Sequence, residues 1–347
     1  MFKFAQRLLA TTATVLLLAG PAHALPERYS EPVKEVGGTL IDVPYAGGNA
    51  VFPIFTSAAW GEPHPELTRV VIVFHGLLRN AGVYFEGAMT ARAAAGPAGQ
   101  QAMVVAPQFL ADLDVPAHHL PANTLGWNND HWAGGEPALT PAPLSGFDAV
   151  DAILAHIADR RLFPNVKTVV MAGFSAGGQI LQRYAVVGNG DAVLTKAGID
   201  TRYVVSDPSS YLYFTADRPD PQPHCKSENT WKYGFAADVP PYVQGTPDSL
   251  EARYARRNVL YLVGMADTDP HHPVLDTSCA GEAQGPQRYI RAHNYFSVMQ
   301  QRHPTGLNQH LIDVPGIAHE GNKMFNTACG LDALFGAPGC AELDVKP

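Results

Sequence analysis

A serine set between glycines, in Gly173-Phe174-Ser175-Ala176-Gly177-Gly178, is the pattern in this chain best suited to covalent chemistry. An apolar, β-branched run at 167–172 leads into it and a helix-forming stretch at 179–185 leads out. A serine on so tight a strand-to-helix turn must adopt strained backbone angles, and neighbours with side chains would collide with strand and helix. A hydroxyl is a poor nucleophile until a base removes its proton, so the pattern calls for a histidine within hydrogen-bond reach. Of the fourteen histidines, His319 stands in the expected place, near the C-terminus and just after the last candidate strand. The imidazole in turn needs a carboxylate to hold its tautomer and stabilise its charged form. Asp267, closest to the end of the run 259–264, is the first choice; Asp269 is the second and Asp207, ending the run 203–206, the third. Such a set performs acyl transfer. It needs no metal or other cofactor, because the histidine moves the protons and backbone amides meet the negative charge. Those donors are expected at Ala176, directly after the serine, and at Leu77, in Val73-Phe74-His75-Gly76-Leu77-Leu78-Arg79-Asn80. His75 is expected to make a structural hydrogen bond beneath the site, with Arg79 and Asn80 bracing the loop.

To bring residues so far apart together, the chain must build a rigid frame. Short apolar runs at 70–74, 103–107, 167–172, 203–206, 259–264 and 310–314 alternate with helical patterns, which predicts a mostly parallel central sheet with helices on both faces. In the clearest helix, 147–161, Phe147, Val150, Ile153, Leu154 and Ile157 recur at helical spacing and Asp148 and Asp151 occupy the first turn. Others are expected at 286–301 and after Glu320. The segments 38–43 and 51–55 read as antiparallel edge strands. Two stretches break the alternation, 110–145 and 208–257, and are expected to be irregular site walls, the second an insertion before the acid-bearing strand.

The glycine-flanked serine, the His-Gly loop, the Gly-x-x-Asp strand end and the late Gly-x-x-His resemble the α/β-hydrolase superfamily over nearly the whole chain. The blocks 127–135, 175–184, Asp207-Pro208-Ser209-Ser210-Tyr211 and Trp231-Lys232-Tyr233-Gly234 are similar to secreted bacterial and fungal members, esterase-like and mostly uncharacterised. The resemblance implies the α/β-hydrolase fold and a Ser-His-Asp triad and leaves the substrate open. The chain lacks a Gly-Gly-Gly oxyanion run and a helical lid, which speaks against a lipase.

The expected activity is hydrolysis of carboxylic esters through an acyl-enzyme, on a small-molecule or polymeric substrate. A peptidase or amidase would use the same residues, a polyester depolymerase is a narrower version, and a binding module on this scaffold is the non-enzymatic alternative. Trp127, Trp132, Tyr211, Tyr213, Trp231 and Tyr233 crowd the two irregular stretches and are candidates to line the pocket. Asp267, Asp269, His271, His272 and Asp276 match no metal-binding spacing and read as a solvated turn.

Residues 1–24 carry Lys3 and Arg7, then an apolar run, then Ala22-His23-Ala24, which predicts a secretory signal peptide cleaved after Ala24. A single domain over 25–347 follows, with no membrane span, in a secreted or periplasmic location. The net charge of -8, without a basic cluster, gives nucleic acid no footing. The four cysteines permit three pairings. The short Gly/Pro turn between Cys329 and Cys340 favours a local bridge there, leaving Cys225 with Cys279. The sequence does not set the oligomeric state.

Overall fold

The computed structural model describes residues 30–341, so the expected leader lies outside the described residues. Eight strands form one sheet in the order β1-β2-β4-β3-β5-β6-β7-β8. These are Thr39–Tyr45, Gly48–Thr56, Arg69–Phe74, Ala102–Pro107, Thr168–Phe174, Asp200–Ser206, Val259–Gly264 and Gln309–Val314, numbered β1 to β8 in chain order. β1 pairs antiparallel with β2 and β2 antiparallel with β4, while every pairing from β4 through β3 to β8 is parallel.

The central strands β3, β4, β5 and β7 are almost wholly apolar because both faces are covered, whereas β6 opens on the polar Asp200, Thr201 and Arg202 and the edge strand β8 mixes polar and apolar residues. Along β3, Val70, Ile72 and Phe74 enter one core while Val71 and Val73 enter the other, as the two-residue period of a strand dictates. The first core packs against the helices Gly146–Ile157, Ala176–Val187 and Arg288–Arg302. The second packs against Ala81–Ala94, Gly321–Phe325 and Ala328–Phe335. Helix Gly146–Ile157 begins at a capping box: the Phe147 N–H donates to Ser145 Oγ at 3.1 Å and the Ser145 N–H to Asp148 Oδ2 at 2.8 Å. Such a cap contributes about 1 kcal/mol.

One expectation fails in part. The stretch 208–257 is not irregular to its end, since Pro247–Arg256 is a helix. Thr246 caps it and Pro247 opens it, but only Leu250, Glu251, Tyr254 and Ala255 are buried, so the abundance of charge hid the pattern. Both disulfides form as expected, Cys329 with Cys340 and Cys225 with Cys279. The second ties the 208–257 segment to the chain after β7.

Candidate active site

Parallel sheets present their ligand-facing chemistry beyond the carboxyl ends of the strands. Ser175 follows β5, Asp207 follows β6, Asp267 follows β7 and His319 follows β8, so four neighbouring strands deliver these residues to one edge.

Ser175 sits at φ 58° and ψ -121° on the turn between β5 and its helix. A Cβ on Gly173 would stand 2.1 Å from the Gly177 carbonyl oxygen, and one on Gly177 would stand 2.4 Å from the Phe74 carbonyl oxygen. Only glycine lets the turn close this tightly between β3 and the helix. The Ser175 N–H donates to the Ser206 carbonyl at 3.0 Å, which pins the turn to β6.

Ser175 Oγ lies 2.9 Å from His319 Nε2, and His319 Nδ1 lies 2.6 Å from Asp267 Oδ2. With Nδ1–H donating to the carboxylate, Nε2 is left to accept the serine proton. Asp267 is fixed by its own turn, where its N–H donates to the Gly264 carbonyl at 3.0 Å, and it is 3% exposed. Burial pulls the His319 pKa down to about 4; the hydrogen bond to Asp267 opposes this and the Arg288 charge assists it. The ring is therefore neutral, and able to accept a proton, over most of the pH range.

The competing carboxylates lie elsewhere. Asp269 is exposed and accepts the His271 N–H at 2.8 Å. Asp207 is fully buried and accepts the Gly264 N–H at 3.1 Å. Burial and the nearby Asp267 charge push its pKa well up.

Leu77 and Ala176 border the same cavity as Ser175, of about 360 Å³. Among the described residues neither N–H donates to any acceptor. His75 holds the loop from beneath: its Nδ1–H donates to the Gly76 carbonyl at 2.8 Å and Nε2 accepts the Phe109 N–H at 2.9 Å. Burial lowers its pKa to about 4, which keeps this tautomer uncharged. Arg79 braces the loop through Asp114 at 2.7 Å, both side chains being buried. Asn80 precedes the helix Ala81–Ala94 and makes no side-chain cap.

The aromatic expectation is corrected. Trp127, Trp132, Tyr211 and Tyr213 are at most 1% exposed and belong to the core; of the six candidates only Tyr233 borders the cavity. Their loops fold over them: Trp132 stacks on Phe109 at 5.0 Å, Tyr211 on Tyr295 at 4.6 Å, and the Trp231 ring N–H donates to the Gly134 carbonyl at 2.8 Å. Much of the wall is instead the segment from Pro270 to Ser278, joined by Asp130, Lys232 and Tyr233.

Arg288 carried no signal in the sequence. Its guanidinium is fully buried, with Nη1 3.5 Å from Asp267 Oδ1, Nε donating to Ser209 Oγ at 3.2 Å and Nη2 donating to the Val274 carbonyl at 2.8 Å. An arginine in a helical pattern reads as solvent-facing, and only the tertiary fold turns this one inward.

No family model matches the sequence, and no curated protein matches it. Among solved structures, the chain is similar to a poly(3-hydroxybutyrate) depolymerase from Bordetella parapertussis, with TM-score 0.61, 24% identity, and coverage of 89% of this chain and 94% of that one. It is also similar to poly(aspartic acid) hydrolase-1 from Sphingomonas sp. KT-1, with TM-score 0.56, 21% identity, and coverage of 85% and 96%. With the strand order above, these likenesses establish the α/β-hydrolase fold.

Proposed function

We propose that this chain, an α/β-hydrolase by fold, is a serine hydrolase that cleaves carboxylic esters. The unbroken hydrogen-bond chain Ser175–His319–Asp267, delivered by three parallel strands to one cavity, carries this reading. His319 Nε2 takes the proton of Ser175 as Oγ bonds to the ester carbon, and the carbonyl electron pair moves onto oxygen, facing the N–H groups of Leu77 and Ala176. Each such donor is worth about 3 kcal/mol in the transition state. Collapse of the adduct breaks the bond to the alcohol oxygen, which leaves with the proton from His319. Water, deprotonated by the same ring, then releases the acid and restores Ser175. Asp267 stays ionised throughout and holds the ring.

A polymeric ester is the narrower version of this substrate, supported by the name of the similar poly(3-hydroxybutyrate) depolymerase, whereas the similar poly(aspartic acid) hydrolase is named for an amide-linked polymer. The leader-like N-terminus and the two disulfides support export. The test is turnover of matched esters and amides by the protein and by Ser175→Ala, with circular dichroism as the control for folding. Ester turnover abolished in a folded variant is the expected result; undiminished turnover in it ends the proposal.

A further inference from the structure

Two residues bordering the cavity beside Ser175, Gln179 and Lys232, carry donors without acceptors among the described residues. Gln179 lies one helical turn after Ser175, so both project from the same side of the helix. Its Oε1 is held by Ser210 Oγ at 3.1 Å and by Nη1 of the buried Arg183 at 3.4 Å, which fixes the amide's orientation. Its Nε2 then has no acceptor among the described residues. The same Arg183 donates through Nε to the Lys232 carbonyl at 3.1 Å, so one buried guanidinium anchors both lining residues. The Lys232 ammonium lies 5.9 Å from the centre of the Tyr233 ring and makes no hydrogen bond or ion pair among the described residues.

Asp276 does not neutralise it by direct contact. Its Oδ2 accepts the Tyr233 hydroxyl at 2.7 Å, and its Oδ1 accepts the Ser278 N–H at 3.1 Å and hydroxyl at 2.7 Å. Burial disfavours the ammonium, but Tyr233, Asp276 and Asp130 outweigh it and hold the Lys232 pKa above its ordinary value. Lys232 is half-buried on the cavity wall, so an anionic ligand oxygen entering there would meet a charged donor that has no oxygen partner among the described residues.

We propose that Lys232 and Gln179 form a carboxylate-binding subsite, so that the preferred substrates are esters bearing one carboxylate a short distance from the scissile carbonyl. This rests on the hydrolase reading above. Asp130 and Asp276 border the same cavity and oppose added negative charge, so the subsite takes a single carboxylate placed against Lys232.

The test compares kcat/KM on monoethyl against diethyl glutarate, with the carboxylate on the acyl side, and on β-acetoxybutyrate against its methyl ester, with it on the alcohol side. In the native protein the anionic member of at least one pair is favoured. Lys232→Met lowers that anionic-to-neutral ratio by about tenfold or more, the usual weight of a charged hydrogen bond, and Lys232→Arg retains most of it. Gln179→Glu, which keeps the shape and turns the facing donor into an acceptor, lowers the ratio independently should the Met variant not fold. An unchanged ratio in the folded variants, no anionic preference in the native protein, or a preference for an amine-bearing ester overturns the subsite. If the native protein hydrolyses none of the esters and resists fluorophosphonate, the hydrolase reading falls first and takes the subsite with it; neutral-ester turnover without a carboxylate preference removes the subsite alone.

Discussion

The strand ends and the cavity walls are built by different means. At the strand ends, ladder hydrogen bonds and two-sided apolar burial fix the backbone, and Ser175, Asp267 and His319 follow from where β5, β7 and β8 stop. In the walls, side chains reach across sequence to bind backbone. Arg183 reaches Lys232, Arg288 reaches Val274, and Arg291 reaches the carbonyls of Gly285 and Asp276 at 2.8 Å each. The disulfide Cys225–Cys279 adds a covalent tie. The frame is thus held by backbone ladders and two-sided apolar burial and the walls by side-chain-to-backbone hydrogen bonds, so the two regions answer to different physics.

Substitutions that touch both regions sharpen this contrast. The largest effect is expected at Asp267→Asn, which keeps the shape but misplaces the histidine proton; kcat should fall by about 10⁴-fold with little change in melting temperature. A loss below tenfold would return the acid's role to another residue. Arg288→Met comes next, because it removes a wall residue that also reaches the frame. It leaves Ser209 Oγ without its donor and the Val274 carbonyl with only the 3.4 Å bond from Ser209 Oγ, costing about 1–3 kcal/mol by denaturant titration. It also removes a positive charge that depresses His319. Since the ring must be neutral to act, kcat/KM in the native protein should rise with pH through a limb near pH 4, below the pH 6 to 7 of an unperturbed histidine. In the variant that limb should move to higher pH; a limb that stays put would confine Arg288 to a structural role.

Smaller again is the loss of the Cys225–Cys279 bridge. Replacing both cysteines with serine should cost about 2–4 kcal/mol of stability, and the frame should keep its ester turnover while the wall loosens and KM rises. The smallest effect is expected at Asp207→Asn, an isosteric change of a carboxyl whose pKa burial pushes well up, for which kcat should stay within about threefold of the native value.

The same contrast explains what the sequence could disclose. The central strands were legible because a buried parallel strand is a continuous apolar run, and Ser175 because its turn admits only glycine at positions 173 and 177. The helix Pro247–Arg256 was obscured by the charge on its exposed face. The aromatic residues misled because a loop aromatic can cover a pocket or anchor the loop, and composition is the same in both cases; Trp132 and Tyr211 do the second. Lys232, Gln179 and Arg288 had no local signature, since what matters about them is the distant partner each one meets or lacks.

Whether Ser175, His319 and Asp267 work as one unit is tested most directly by fluorophosphonate labelling read by peptide mass spectrometry, on the native protein and on His319→Ala. A single adduct on Ser175, formed in the native protein and slowed by at least about a hundredfold in the variant, is the expected outcome. An adduct on another residue, no adduct at all, or equal labelling of both proteins would contradict it.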